Sequence, residues 1–368
     1  MTIVSNRHSV VVIGAGQAGL AVAHYLQKLG LHPGADMVVL DRGPSTGGAW
    51  QHRWEALRVG SAHRINDLPA MADLDLSFET VDRSLPAKEV VADFYRQYER
   101  HFGLEVVRPA IVTSVFGAGA DLFVRYTDGG QTLHLQTDVV VNATGTWGAP
   151  FRPWYPGATE FLGRHVHTVD FVDAAEFRDQ SVAVVGGGTS AVGFLLELEH
   201  QASALTWVAR RAIEFSDEGD FDLETKASAV ATQDDAARSG RALPSRVSST
   251  GIPRTRRIVA GIERGLLVAK PMFTRIEPEG LTFADGSFQP VDAIVWATGF
   301  RPELRHLAPL KLRETEGGVS VASGNAVRDP RVFFAGYGPQ ASTIGANRAG
   351  RMIARQVVAT LSRFQAER

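Results

Sequence analysis

Two stretches of the chain repeat one hydrophobic pattern. Val10-Val11-Val12-Ile13 is a continuous β-branched run, as expected of a strand buried on both faces of a parallel sheet. After a short glycine-rich turn, Leu20, Val22, Ala23, Tyr25 and Leu26 recur at helical spacing, and the pattern stops near Gly30. A second apolar run, Met37-Val38-Val39-Leu40, follows. About half a chain later the order returns. The run Ser181-Val182-Ala183-Val184-Val185 leads into a turn, then a helical pattern through Val192, Phe194, Leu195, Leu196 and Leu198, then Leu205-Thr206-Trp207-Val208-Ala209. Strand, turn, helix and strand in that order, twice, predict an α/β protein with two Rossmann-like dinucleotide-binding domains.

The turns carry the chemistry. In Gly14-Ala15-Gly16-Gln17-Ala18-Gly19, the first glycine allows the tight turn and the second lets the backbone approach a pyrophosphate. Gly19 lets the helix pack on the strand. The second turn is Gly186-Gly187-Gly188-Thr189-Ser190-Ala191, with Ala191 in place of the last glycine, which the motif tolerates. Two such turns suggest two dinucleotides held face to face. Asp41 ends the strand after the first helix, where a carboxylate can accept hydrogen bonds from both ribose hydroxyls. The corresponding strand of the second repeat ends on Arg210-Arg211. A guanidinium pairs in bidentate fashion with a 2′-phosphate, so this site reads as one for NADPH. Solvated surface arginines are the plainer alternative. Behind Asp41, Gly47-Gly48-Ala49-Trp50 could admit a second phosphate or a flavin ring, with Trp50 against that ring or in the core.

Composition narrows the classes. With 368 residues and 44% apolar content, sizeable cores are expected. A net charge of −2 gives no electrostatic reason to expect nucleic acid or an anionic membrane as partner. There is no cysteine, hence no disulfide, thiolate zinc site or thiol nucleophile. This removes the disulfide reductases that share a two-nucleotide architecture. No signal-peptide apolar region precedes the first strand and no run of about 18 apolar residues occurs, so a cytoplasmic location is expected.

Five landmarks together resemble the flavin-containing monooxygenases, within the larger group that includes the Baeyer–Villiger monooxygenases. They are the first turn with Asp41; Gly47-Gly48-Ala49-Trp50, similar to a GGxW segment; Ala143-Thr144-Gly145, followed by Pro150, Pro153 and Pro156; the stretch from Phe161 to Phe171; and the second turn. The fourth fits the family's FxGxxxHxxx(Y/F) signature through Phe161, Gly163, His167 and Phe171 and is the most specific. The length points to the small bacterial type. The resemblance implies FAD in the first site, NADPH in the second, and an NADPH domain inserted into the FAD domain. The expected boundaries are 1–157 and 297–368 for the FAD domain and 158–296 for the NADPH domain, with a helical excursion at about 212–270. Internal repetition supports the insertion: Val291 to Gly299 repeats the pattern of Val139 to Gly145, each a strand ending in Ala-Thr-Gly where the chain crosses between domains. Val332-Phe333-Phe334-Ala335-Gly336 is then a last strand of the first sheet, and Gly345 to Gly350 opens a final helix. Gly336 is followed by Tyr337, not by the Asp with which reductases of this architecture hold the ribityl chain.

By the same resemblance, NADPH reduces the flavin, oxygen adds at C4a, and the resulting hydroperoxide is attacked by a small soft nucleophile such as a sulfide or amine. Molecular oxygen and a small organic molecule are the expected partners. A ketone giving an ester, or an oxidase or reductase without oxygen transfer, are the alternatives. Asn66 is the candidate active-site amide, although Asn66 and Asp67 also read as a turn before Pro69. Arg58 and His63 are further pocket candidates. His167 is expected to fix the interdomain linker, and His165 with His167 lacks a third metal ligand nearby. Acids from Glu214 to Glu224 and the basic residues Arg246, Arg254, Arg256 and Arg257 give the excursion opposed charge blocks, suited to a lid, a dimer contact or a solvated face. A homodimer is the default expectation for assembly.

Overall fold

The computed structural model describes residues 6–62, 65–216, 223–244, 252–341 and 343–367. Two compact units make up the chain. The first comprises Met1–Gly148, Ala231–Leu243 and Pro302–Arg368, the second Ala149–Val230 and Pro244–Arg301. The second unit therefore interrupts the first.

Along the chain the first unit contributes β1 (Asn6–Ile13), α1 (Gln17–Lys28), β2 (Met37–Leu40), α2 (Ala87–Phe102), β3 (Val106–Val107), the antiparallel β4 (Ile111–Ala118) and β5 (Asp121–Asp128), and β6 (Gln131–Asn142). The second unit follows with β7 (Arg164–His167), β8 (Ser181–Val185), α3 (Thr189–Leu198) and β9 (Ala204–Val208). Then come α4 (Leu223–Arg238), α5 (Arg256–Glu263), β10 (Ala269–Lys270), an antiparallel group of β11 (Phe273–Glu277), β12 (Gly280–Phe283) and β13 (Phe288–Pro290), and β14 (Ala293–Trp296). The first unit closes with β15 (Val332–Phe334) and α6 (Thr343–Glu367).

Each unit has a parallel sheet built on its fingerprint strand. In the first the order is β15-β6-β1-β2-β3, with β5 antiparallel on β6. In the second it is β10-β9-β8-β14-β7. The β-branched runs are buried because helices or loops cover both faces of these sheets: Val10, Val11, Val12, Val139, Val140 and Val141 have no exposed surface. Each such side chain contributes about 1.5–3 kcal/mol on burial. α1 packs on α6 so closely that a Cβ on Gly350 would lie 3.0 Å from the Ala21 side chain. No described helix is long and apolar enough to cross a membrane.

The crossings between units fall at 148/149 and 301/302. The reason is pairing between the two crossing segments. Phe151 N donates to Gly299 O (3.0 Å) and Arg301 N to Ala149 O (2.8 Å), so both segments belong to the second unit. The expected excursion at 212–270 is also divided. Residues 231–243 group with the first unit, where Ala237 is buried, Ser320 Oγ donates to Arg238 O (2.7 Å) and Gly318 N to Gly240 O (3.0 Å). Its last residues form β10 and extend the second sheet beside β9. Asp217, Glu218, Asp220, Phe221, Asp222 and Arg246 lie outside the described residues.

The family signature is a packing device. Phe161 lies against the His165 ring, with 5.1 Å between centroids. A Cβ on Gly163 would sit 2.3 Å from Asp292 O and 2.5 Å from the Phe161 ring. Here β7 enters the sheet, and Arg164 N donates to that same Asp292 oxygen (2.9 Å). His167 Nε2 is 3.2 Å from Gly299 O, and its ring meets Phe300 edge-on at 5.2 Å. Burial holds this imidazole below its usual pKa, as suits a neutral ring tying β7 to the outgoing segment. Phe171 is buried against Phe177 and Phe194. Gly163→Ala is expected to lower the melting temperature by about 5 °C, since overpacking costs about 1–3 kcal/mol. Differential scanning calorimetry checks this; an unchanged melt would mean that β7 shifts freely.

Candidate functional site

The turn between β1 and α1 contains three glycines with different reasons for being glycine. Gly14 has φ +105°, and a Cβ there would lie 2.5 Å from Ala143 O. A Cβ on Gly19 would lie 1.8 Å from Gly14 O. Both are required by the chain itself. Gly16 is not: its φ is −82°, and the nearest atom to an added Cβ is Gly48 Cα at 3.9 Å. Gly16 is also the N-cap of α1 and provides no capping side chain. A helix start with uncapped amides beside open space is a cradle for a phosphate. Gly48 borders it, with φ +54° and a Cβ position 2.8 Å from Gly16 Cα. The cradle therefore fits the pyrophosphate of FAD.

Asp41 is buried, and its two oxygens are engaged: Ala15 N donates to Oδ2 (2.7 Å) and Gly43 N to Oδ1 (2.7 Å). A carboxylate offers about four acceptor positions, so capacity for ribose hydroxyls remains. Arg108, absent from the sequence reading, supports this acid. Its Nε is 3.6 Å from Asp41 Oδ1, and its terminal nitrogens make a bidentate pair with Glu99 at 2.8 and 2.9 Å. Trp50 is buried in the core of the first unit, with the Arg53 guanidinium 5.4 Å from its ring and 4.6 Å from that of Trp147.

Thr144 and Gly145 follow β6. Thr144 Oγ1 donates to Glu303 O (2.8 Å), and Glu303 N donates to Gly145 O (3.0 Å). Gly145 has φ +64° and nothing within 4 Å of an added Cβ, so space is open there as at Gly16. Behind it, His306 Nε2 donates to Asn142 Oδ1 (2.8 Å); burial pulls the imidazole down to about 4, keeping it neutral. Gly336 has φ +74°, and its Cβ position is 3.2 Å from Ala18 Cβ in the first turn of α1. Tyr337 is buried and accepts from Val319 N (3.0 Å).

The second turn repeats the first. Gly186 has φ +149°, with a Cβ position 2.3 Å from Ala297 O. Gly188 is the N-cap of α3, again without a capping side chain. Thr189 and Ser190 begin that helix, exposed and half-buried, and neither hydroxyl bonds another described residue. Arg210 and Arg211 are exposed just past β9 and form no ion pair with any described residue. An uncapped helix start, two hydroxyls and two exposed guanidiniums fit a pyrophosphate and a 2′-phosphate.

Asn66 is half-buried in the first unit, and its backbone oxygen accepts from Gln17 Nε2 (3.0 Å). Asp67 closes the turn that the sequence also allowed, accepting from Ser77 Oγ (2.8 Å) and Phe78 N (2.7 Å). Arg58 is exposed and pairs through its backbone with Pro86. His63 lies outside the described residues. Among the described residues no three His, Asp or Glu are placed to hold a metal. Gln17, Tyr95 and Asn347 converge on the Asn66 turn and were not foreseen. Two of the three sit inside glycine motifs that are read for their glycines.

Residues 11–239 match the pyridine nucleotide-disulphide oxidoreductase family. A flavin-containing monooxygenase from Stenotrophomonas maltophilia superposes with a TM-score of 0.78 at 32% identity, covering 96% of this chain and 99% of that one. Senecionine N-oxygenase of Tyria jacobaeae is 29% identical over 55% of this chain and 46% of its own. Trimethylamine monooxygenase of a Pelagibacter species is 28% identical over 51% and 47%. The chain spans about half the length of these two curated relatives.

The different origins of the glycines predict different failures. Gly14→Ala should destabilise the apoprotein. Gly16→Ala should leave apoprotein melting within about 1 °C of the parent, because its Cβ comes no nearer than 3.9 Å to another residue of the protein, yet weaken FAD binding about tenfold or more. Fluorescence titration of apoprotein with FAD checks this, and unchanged affinity would remove the pyrophosphate from Gly16.

Proposed function

Because the chain belongs to the flavin-containing monooxygenases, FAD- and NADPH-dependent oxidoreductases within the pyridine nucleotide-disulphide oxidoreductase family, we propose that it transfers one oxygen atom from molecular oxygen to a small soft nucleophile, a sulfide or an amine. One observation carries the reading: two glycine turns, each leading into a helix whose glycine N-cap provides no capping side chain, stand in a chain without cysteine. Electrons collected by such a chain have no dithiol to pass to. Two relatives are named for oxygenation at nitrogen or of an amine, which supports the amine side of the proposal.

When bound, NADPH supplies the hydride and FAD the electron-accepting and oxygen-activating chemistry. The chain's own residues bind and orient. Gly16, Gly48 and the start of α1 take the pyrophosphate of FAD, and Asp41 takes its ribose. Trp50, Thr144, Gly145 and Gly336 border the rest of that cofactor. Gly186, Gly188, Thr189 and Ser190 take the pyrophosphate of NADPH, with Arg210 and Arg211 on its 2′-phosphate. Asn66 offers a neutral amide, which can donate and accept hydrogen bonds at the reacting oxygen without drawing a proton from it.

Two outcomes are expected. Incubation with NADPH, oxygen and either a thioether or a tertiary amine should give sulfoxide or N-oxide at close to one per NADPH, measured by mass spectrometry. Ester from a ketone with no heteroatom product would move the chain to Baeyer–Villiger chemistry, and hydrogen peroxide alone would make it an oxidase. Separately, replacing Arg210 and Arg211 together by Ala should raise the Kd for NADPH about 10–100-fold, as expected for losing charge-assisted hydrogen bonds of about 1.5–3 kcal/mol, while barely changing that for NADH. Equal weakening of both would show that neither arginine reads the 2′-phosphate.

A further inference from the structure

The side chain of Gln17 is the hub of a polar network that the nucleotide motif does not call for. Gln17 is the first residue of α1, directly after Gly16. Its Oε1 accepts from the Tyr95 hydroxyl of α2 (2.6 Å). Its Nε2 donates to the backbone oxygen of Asn66 (3.0 Å) and to Oδ1 of Asn347 in α6 (3.2 Å). Asn347 Nδ2 then donates to the backbone oxygen of Asp67. Tyr98, one turn along α2 from Tyr95, donates to the backbone oxygen of Pro69 (2.8 Å). The carbonyls of residues 66, 67 and 69 are thus gripped by side chains from three helices, α1, α6 and α2. All of these residues belong to the first unit.

Only a glutamine satisfies this arrangement. Tyr95 is wholly buried, and burial pushes its phenol pKa up, so it stays a donor and needs an acceptor. Asn66 O and Asn347 Oδ1 are acceptors and need donors. A carboxylate at position 17 would set an anion against both. An asparagine is one methylene too short, and an apolar side chain would leave a buried hydroxyl and a carbonyl unpaired. The network has no evident use for the pyrophosphate, which needs only the backbone of this turn. What it does is fix the backbone that carries Asn66 to the first residue of the cofactor helix.

We infer that Gln17 is a positioning residue, whose carboxamide fixes the backbone that carries Asn66 relative to the cofactor cradle. The inference rests on the reading of Asn66 as the active-site amide. A catalytic amide misplaced by about 1 Å loses much of its effect, so rigid anchoring of its turn has a direct chemical return.

Gln17→Met keeps the length and removes the three hydrogen bonds; Tyr95→Phe removes one of them at little steric cost. Hydrogen exchange followed by mass spectrometry on the apoprotein tests the anchoring without any turnover. The peptide covering 65–71 should exchange about tenfold faster in Gln17→Met and less so in Tyr95→Phe, while α1 peptides are unchanged. In the FAD-loaded enzyme, Gln17→Met should keep its flavin content and its KM for NADPH. It should nevertheless release peroxide in place of product, as Asn66→Ala should. The double variant Gln17→Met with Asn66→Ala should be no worse coupled than Asn66→Ala alone, because Gln17 acts through Asn66. Parental exchange in Gln17→Met, or additive loss in the double variant, overturns the inference. Coupling intact in Asn66→Ala would instead overturn the reading of Asn66 and with it the catalytic half of the inference, leaving the exchange result as the sole test of the anchor.

Discussion

The architecture of both units depends on one contact: the first glycine of each nucleotide turn sits against the carbonyl of the alanine in an Ala-Thr-Gly segment. In the first unit Gly14 N donates to Leu40 O (2.7 Å) and Ala143 N to Ile13 O (2.8 Å). In the second, Gly186 N donates to Val208 O (2.9 Å) and Ala297 N to Val185 O (2.8 Å). A Cβ on either glycine would lie 2.5 Å or less from the facing alanine oxygen. The strand ends are therefore drawn together until only a glycine fits. The chain leaves each sheet at the same height, and each helix starts beside the gap so formed. Cradle and crossing are consequences of the same close approach. That is why the sequence repeats Ala-Thr-Gly along with the glycine turn and never one without the other.

Local patterns made the two sheets, both helix starts and the insertion legible, because a buried parallel strand must be apolar throughout and a glycine turn cannot be built from other residues. The unit boundaries were less legible. Ala149 to Pro156 carries prolines that read as a linker, yet Ala149 and Phe151 form hydrogen bonds with the outgoing segment, a pairing across some 150 residues that no periodicity announces. The segment read as one excursion splits for a similar reason. Ala237 is apolar enough to enter the core of the first unit, and Ala269–Lys270 completes the sheet of the second, but neither allegiance shows in composition. Arg108 was invisible too. Its importance lies in its geometry toward Asp41 and Glu99, and nothing in its neighbourhood marks it as anything but a surface base.

The most specific motif in the sequence turns out to contain the least chemistry. Phe161, Gly163, His167 and Phe171 are spent on ring packing, on a close approach to Asp292 O and on a hydrogen bond to Gly299 O. Such a motif is specific because several contacts must be satisfied at once by a strand only four residues long. Catalytic demands act differently. A bound cofactor brings its own reactivity, so the protein need not arrange a nucleophile and base.

That division of labour explains where the polar side chains of the first unit have gone. A turn such as 65–69 has no helix or strand to make it rigid, and its own backbone groups would otherwise bond to water. Rigidity must then come from outside it. Gln17, Asn347 and Tyr98 provide it through the carbonyls of residues 66, 67 and 69. The anchors sit on α1, α6 and α2, whose mutual packing is settled by fully buried residues such as Leu20, Ile353 and Tyr98. The turn thereby inherits the stiffness of the core, and the residue that opens the first nucleotide helix also holds the backbone that carries Asn66.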